Sequence, residues 1–244
     1  MTRSSPGFGG LAWAGLAAAD AAVAVKFCCE VFDWEASSPG SFTVLRRAGD
    51  DVALVYPQTP QARAAGVTTH WTPFFLVDDV GAALERAVEA GGMALRQPFG
   101  PLEGSVGPMK DPVGAAFSLW APSAGGPLSR FATAAWSMEL ATPDPAASRA
   151  FYANVLGWTY SLRPGETTIL GPDEPLGWIG TTNGAPEWLA YLRVPDVDEA
   201  LRRAEAAGAT RDGVSRMDGR VARLIDPQGA VLFLLQDGLR RRGS

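Results

Sequence analysis

Residues 147–158 read ASRAFYANVLGW and residues 23–34 read VAVKFCCEVFDW. Both place apolar side chains at helical spacing, with Phe at the fifth position and Trp at the twelfth. The likeness runs well beyond this pair. Gly15–Trp34 matches Glu139–Trp158, setting Asp20 on Asp144, Phe27 on Phe151 and Trp34 on Trp158. His70–Gly91 (HWTPFFLVDDVGAALERAVEAG) matches Glu187–Gly208 (EWLAYLRVPDVDEALRRAEAAG), and Lys110–Trp120 (KDPVGAAFSLW) matches Ile225–Leu235 (IDPQGAVLFLL). The order is the same both times, so the chain reads as a tandem repeat.

Between the copies lies APSAGGPLSR, residues 121–130, whose Pro, Gly and Ser read as a linker. The division is a first module over 1–122, a linker over 123–130, and a second module over 131–244 that ends in the basic tail LRRRGS. Residues 20–32, 79–90, 144–156 and 196–207 carry apolar side chains at helical spacing, each behind an Asp placed as an N-cap and each ending near a Gly. Short apolar or β-branched runs at 42–46, 52–56, 115–120, 167–170 and 230–235 read as strands. Each module is therefore β-α-β-β twice over, small sheets with helices on one face.

These stretches, above all ELATPDPAASRAFYANVLGW, FFLVDDVGAALERAVEAGG and the endings DPVGAAFSLW and DPQGAVLFLL, resemble the vicinal oxygen chelate superfamily of glyoxalases, bleomycin-resistance proteins and extradiol dioxygenases. The resemblance is to tandem, two-module actinobacterial members, which fits an Ala-, Gly- and Arg-rich chain with only two lysines. It implies an α+β fold: two tandem glyoxalase-like modules, each of paired βαβββ units forming a cupped mixed sheet with helices on the outer face. It does not fix the function, because this scaffold hosts many chemistries.

Metalloenzymes of the superfamily hold a divalent ion in the cup with His, Glu or Gln. The resemblance puts those positions at Trp13, Thr72 and Ser118 in the first module, and at Ser137, Leu189 and Phe233 in the second. Indole, hydroxyl and alkyl groups are poor ligands, so no metal and no cofactor is expected. His70, the single histidine, reads as a hydrogen-bonded wall residue rather than a ligand.

Strand side chains alternate, so residues of ligand parity face the cup. This points Trp13, His70, Thr72, Phe74, Ser118 and Trp120 inward in one module, and Ser137, Glu139, Glu187, Tyr191, Arg193 and Phe233 in the other. Trp71, Trp136 and Trp188 fall on the opposite, helix-packed side. Such a lining suits a planar organic ligand, with rings for stacking and a few polar groups for orientation. Trp34 and Trp158, at equivalent helix ends, read as core.

A net charge of −5 argues against nucleic acid or anionic lipid as partner. Asp20 interrupts the N-terminal apolar run, and no stretch is long enough for a membrane span. Cys28 and Cys29 are adjacent and offer no disulfide framework, which fits a reducing cytoplasm. The residues GFGG at 7–10 do not open a helix and are not a phosphate loop. The leading expectation is a cytoplasmic, metal-independent binder that sequesters a hydrophobic, aromatic natural product, its modules paired as an internal pseudo-dimer within a monomer or homodimer. The rival is a metal-independent cyclase, isomerase or hydrolase on a polyketide-like substrate, with Glu139, Tyr191 or His70 moving protons. A metal-dependent dioxygenase or lyase comes third.

Overall fold

Each long helix begins where an aspartate can cap it. In the computed structural model, which describes residues 7–100, 104–123, 133–172, 175–216 and 221–236, Asp20 accepts from the amides of Ala22 and Val23 and opens α1 (Ala21–Phe32). Asp144 does the same for α4 (Pro145–Leu156) through Ala146 and Ala147. Asp79 caps α3 (Val80–Glu89) through Ala82, and Asp196 caps α5 (Val197–Ala206) through Glu199. Each carboxylate satisfies amides that the first helical turn leaves open. Residues 124–130 of the expected linker and the tail at 239–244 lie outside the described residues.

Strands alternate with these helices. The first repeat supplies β1 (Leu11–Ala18), β2 (Glu35–Ser37), β3 (Thr43–Arg47), β4 (Asp50–Pro57), β5 (His70–Leu76), β6 (Met93–Ala94), β7 (Gly104–Lys110) and β8 (Ala116–Pro122), with a short helix α2 (Pro60–Ala64) between β4 and β5. The second supplies β9 (Trp136–Thr142), β10 (Thr159–Arg163), β11 (Glu166–Leu170), β12 (Pro175–Thr181), β13 (Glu187–Val194), β14 (Thr210–Arg216), β15 (Val221–Ile225) and β16 (Val231–Gln236). Each repeat makes one eight-stranded mixed sheet, ordered β2-β3-β4-β1-β5-β8-β7-β6 in the first and β10-β11-β12-β9-β13-β16-β15-β14 in the second. The fold is two tandem glyoxalase-like modules of α+β class, βαβββ twice in each.

By contact the chain divides differently. One compact unit takes the chain up to Ala14, then Thr72–Thr133 and Met138–Leu189; the other takes Gly15–Trp71, Ala134–Ser137 and the chain from Ala190 onward. Each unit therefore joins half of one repeat to half of the other. Within the first, α3 packs on α4; within the second, α1 packs on α5. In both, the first long helix of one repeat meets the second long helix of the other.

The core of the first unit is aromatic. Phe75 packs edge-on against Trp158 and Trp188, with centroids at 4.9 and 5.4 Å, and Tyr152 stacks on Trp158 at 4.9 Å. Trp188 Nε1 donates to Tyr152 Oη at 3.0 Å, and Tyr152 Oη donates to Asp111 Oδ2 at 3.2 Å. Burial first, and then the Asp111 carboxylate, push the Tyr152 phenol well above its ordinary range and keep it a donor. Gly9, at φ +86°, lies so close to α4 that a Cβ there would sit 2.2 Å from the Leu156 carbonyl oxygen. Its own carbonyl accepts from Trp158 Nε1 at 2.6 Å, so GFGG serves packing.

The second unit repeats the plan with other residues. Trp136 meets Trp71 at 5.1 Å and Trp34 at 6.3 Å, and donates its indole N–H to the Val52 carbonyl at 2.7 Å. Cys28, fully buried, stands at the Tyr152 position; burial first, then Asp226, push its thiol upward. One expectation fails here. Helix α1 does not end near a glycine but on Asp33, a non-glycine residue at φ 55°, where α4 ends on Gly157 at φ 70°. Arg203 explains the substitution: it bonds both Asp33 carboxylate oxygens and the Glu30 carbonyl, tying the α1 terminus to α5.

Candidate functional site

Alternation along each strand separates two faces. Phe117 touches Phe151 and Tyr152 of α4, and Phe75 packs on Phe117 and on Trp158 just beyond that helix, so theirs is the helix-packed face. Phe74 and Ser118 are register partners on β5 and β8, one residue out of phase with that pair, and belong to the helix-free face. Trp13 joins them from β1: its ring lies 5.6 Å from Phe74 and 4.5 Å from Trp120. Thr72 lies two residues before Phe74 on β5. Trp13, Thr72, Phe74, Ser118 and Trp120 are thus gathered into one cluster, each 7% exposed or less. Gly104 on β7 lets the Trp120 indole lie close, since a Cβ there would meet Trp120 Nε1 at 2.6 Å.

The second sheet has an equivalent cluster of different character. Tyr191 and Phe233 are register partners on β13 and β16, and their rings stack at 4.5 Å with planes 15° apart. Arg193, two residues on and on the same face, donates from Nη2 to Ser137 Oγ at 2.8 Å. Tyr191, Phe233 and Ser137 are buried, while Arg193 is half-buried.

Glu139 lies on β9, two residues after Ser137. It is 8% exposed, pairs in register with Trp178 on β12, and points its Oε1 to within 2.5 Å of where a Cβ on Gly180 would stand. Gly180 therefore leaves room for the carboxylate. Trp178 was missed by sequence reasoning because PLGWIGT, with two glycines, does not read as a strand. Its pairing with β9 is the missing signal.

The remaining candidates sit at strand starts. His70 is the first residue of β5, half-buried, its Nδ1 2.8 Å from the Thr68 carbonyl oxygen. Glu187 is the first residue of β13 and exposed.

The metal positions can be tested on their donor chemistry. Trp13, Thr72 and Ser118 stand in one sheet and Ser137, Leu189 and Phe233 in the other, with neither imidazole nor carboxylate in either set. Among the described residues there is no group of three or more His, Cys, Asp or Glu side chains able to hold a metal ion. These residues do not fit a divalent cation.

A glyoxalase/bleomycin resistance protein/dioxygenase superfamily model matches residues 10–119, and a glyoxalase-like domain model matches 137–235. The anthracycline biosynthesis protein DnrV of Streptomyces peucetius is 31% identical over 97% of this chain and 95% of its own. The chain belongs to that superfamily. CFP32 of Mycobacterium tuberculosis is 32% identical over 92% of this chain and 93% of its own. Among superfamily folds already solved, the Mn(II)-bound glyoxalase of Novosphingobium aromaticivorans superposes with a TM-score of 0.61 at 15% identity, over 97% of this chain and 83% of that one. At that identity the likeness is one of fold. No helix among the described residues is long and apolar enough to cross a membrane.

Proposed function

We propose that this protein binds a planar aromatic natural product on the helix-free face of its sheets, without a metal ion, and sequesters it. The observation that carries the reading is the Trp13–Phe74–Trp120 cluster, in which Trp13 holds one of the positions that the superfamily resemblance assigns to a metal ligand. Rings at that place offer stacking and apolar area, each worth affinity for a flat ligand, whereas they offer a divalent metal ion no ligand atom. A relative named for anthracycline biosynthesis supports a polycyclic aromatic ligand. The adjacent, unbridged Cys28 and Cys29 support a reducing cytoplasm as the setting.

The test is a titration of tryptophan fluorescence with an anthracyclinone, followed by mass spectrometry of the recovered ligand. Saturable quenching, unchanged by chelator and with the ligand recovered intact, is the expected result. Trp13→Ala should weaken binding by about tenfold or more, as truncation of a central aromatic contact does. Stoichiometric metal in the purified protein, or chelator-sensitive binding, would overturn the reading.

One observation supports a second reading as a metal-independent enzyme: Glu139 is a buried carboxylate with space kept for it by Gly180. A carboxylate so placed could take a proton from a bound substrate. Turnover that survives chelator and is lost in Glu139→Gln would select this reading over sequestration.

A further inference from the structure

We propose that the helix-free face of the second sheet is the acid-recognising one: Arg193 takes an anionic group, a carboxylate or ionised hydroxyquinone, of a flat ligand lying against Tyr191 and Phe233. The inference rests on the binding reading above and adds the ligand's charge and the face that reads it.

The argument begins with the internal repeat. The residue equivalent to Arg193 in the first sheet is Leu76, and the residue equivalent to its hydrogen-bond partner Ser137 is Trp13. The first cluster, Trp13, Phe74, Leu76 and Ser118, is therefore uncharged, and the cation belongs to one copy only. Packing does not require it there, since the sister copy fills the place with leucine, 1% exposed.

Arg193 is also held rather than loose. Nη2 donates to Ser137 Oγ at 2.8 Å, and Ser137 is 3% exposed, so the guanidinium is anchored at one corner. A guanidinium carries five N–H donors in a planar fork. Among the described residues no carboxylate forms an ion pair with it. Moving a cation part-way out of water is costly unless an opposite charge meets it. A planar acid matches the fork in two parallel hydrogen bonds. The stacked Tyr191 and Phe233 rings supply the aromatic surface beside it, so one ligand can use both.

The test compares two probes of the same ring system, an anthraquinone carboxylate and its uncharged amide, by fluorescence titration of the whole protein. The carboxylate loses more hydration on binding, so a preference for it requires a cation at the site. Wild type should bind it about 10- to 100-fold more tightly than the amide, the range for one hydrogen-bonded charge pair. Arg193→Gln should abolish the preference by weakening the carboxylate far more than the amide, and Arg193→Lys should restore part of it. Circular dichroism checks that the variants fold. If Arg193→Gln does not fold, the wild-type preference must shrink as salt is raised, and its constancy would count against the proposal. Equal binding of the two probes, or a preference that survives Arg193→Gln, overturns the inference and leaves the binding reading intact. Failure of wild type to bind either probe overturns the binding reading itself.

Discussion

At four equivalent places the first sheet carries Trp13, Phe74, Leu76 and Ser118, and the second carries Ser137, Tyr191, Arg193 and Phe233. Large and small have changed places: the tryptophan and serine of one copy become serine and phenylalanine in the other. The same exchange occurs one position along. Gln58 and Thr182 bond equivalent carbonyls, Ala18 and Thr142, which makes Tyr56 the counterpart of Gly180 as Gly15 is of Glu139. One copy has Gly and Tyr where the other has Glu and Gly. Volume is roughly kept while chemistry is changed, as close packing demands of any substitution a fold tolerates. The difference teaches that the scaffold constrains bulk and leaves the chemistry of each face free to vary.

The helix-packed side is where breaking this comparison should cost most. Trp188→Ala removes a buried ring and a donor to Tyr152, and should cost about 3–5 kcal/mol by denaturant unfolding. Its counterpart Trp71→Ala, with no such hydrogen bond, should cost less; equal losses would show that the Trp188–Tyr152–Asp111 chain adds nothing.

The exchanged pairs give a sharper test. Gly180→Tyr alone drives a ring into the Glu139 carboxylate and should cost about 1–3 kcal/mol as an overpacking. Adding Glu139→Gly, which recreates the first copy's pair, should recover most of that loss, a coupling measurable in a double-mutant cycle. Next comes Tyr152→Phe, which leaves the buried Asp111 short of one donor at about 1–2 kcal/mol. Asp111 keeps its bonds to the amides of Val113, Gly114 and Ala115, while the Trp188 indole N–H loses its acceptor as well.

The smallest effect is at the α1 terminus. Hydrogen bonding from Arg203 holds the Asp33 carboxyl below its ordinary value of 3.8. An acid whose folded-state value is depressed contributes its stabilisation above the ordinary value and loses it as pH falls through the lower one. Melting temperature should therefore fall more steeply in wild type than in Asp33→Gly as the solution is acidified, and salt should narrow the gap, because the pair is exposed. A pH-independent difference between the two proteins would mean that backbone strain, not the ion pair, distinguishes Asp33 from Gly157.

Much of this was legible in the chain. Helix starts follow from Asp20, Asp79, Asp144 and Asp196 because an N-cap acts within one turn. Strand faces follow from parity, which is why Trp13 and Phe74 could be assigned together and Trp188 set among the core. Trp178 was not legible: its strand is interrupted by two glycines and is defined by pairing with β11 and β9. Neither was Asp33, since an αL aspartate is held by an arginine 170 positions away.

The sequence by itself determined the duplication and the fold of each half, because those depend on residue type and on periods of a few residues. Only the tertiary structure decided which halves share a core, that Tyr152 and Asp111 close one interface while Cys28 and Asp226 occupy its twin, and that Arg193 rests on Ser137. Those facts depend on contacts between distant segments, whose geometry is set when the whole chain packs and by no local pattern.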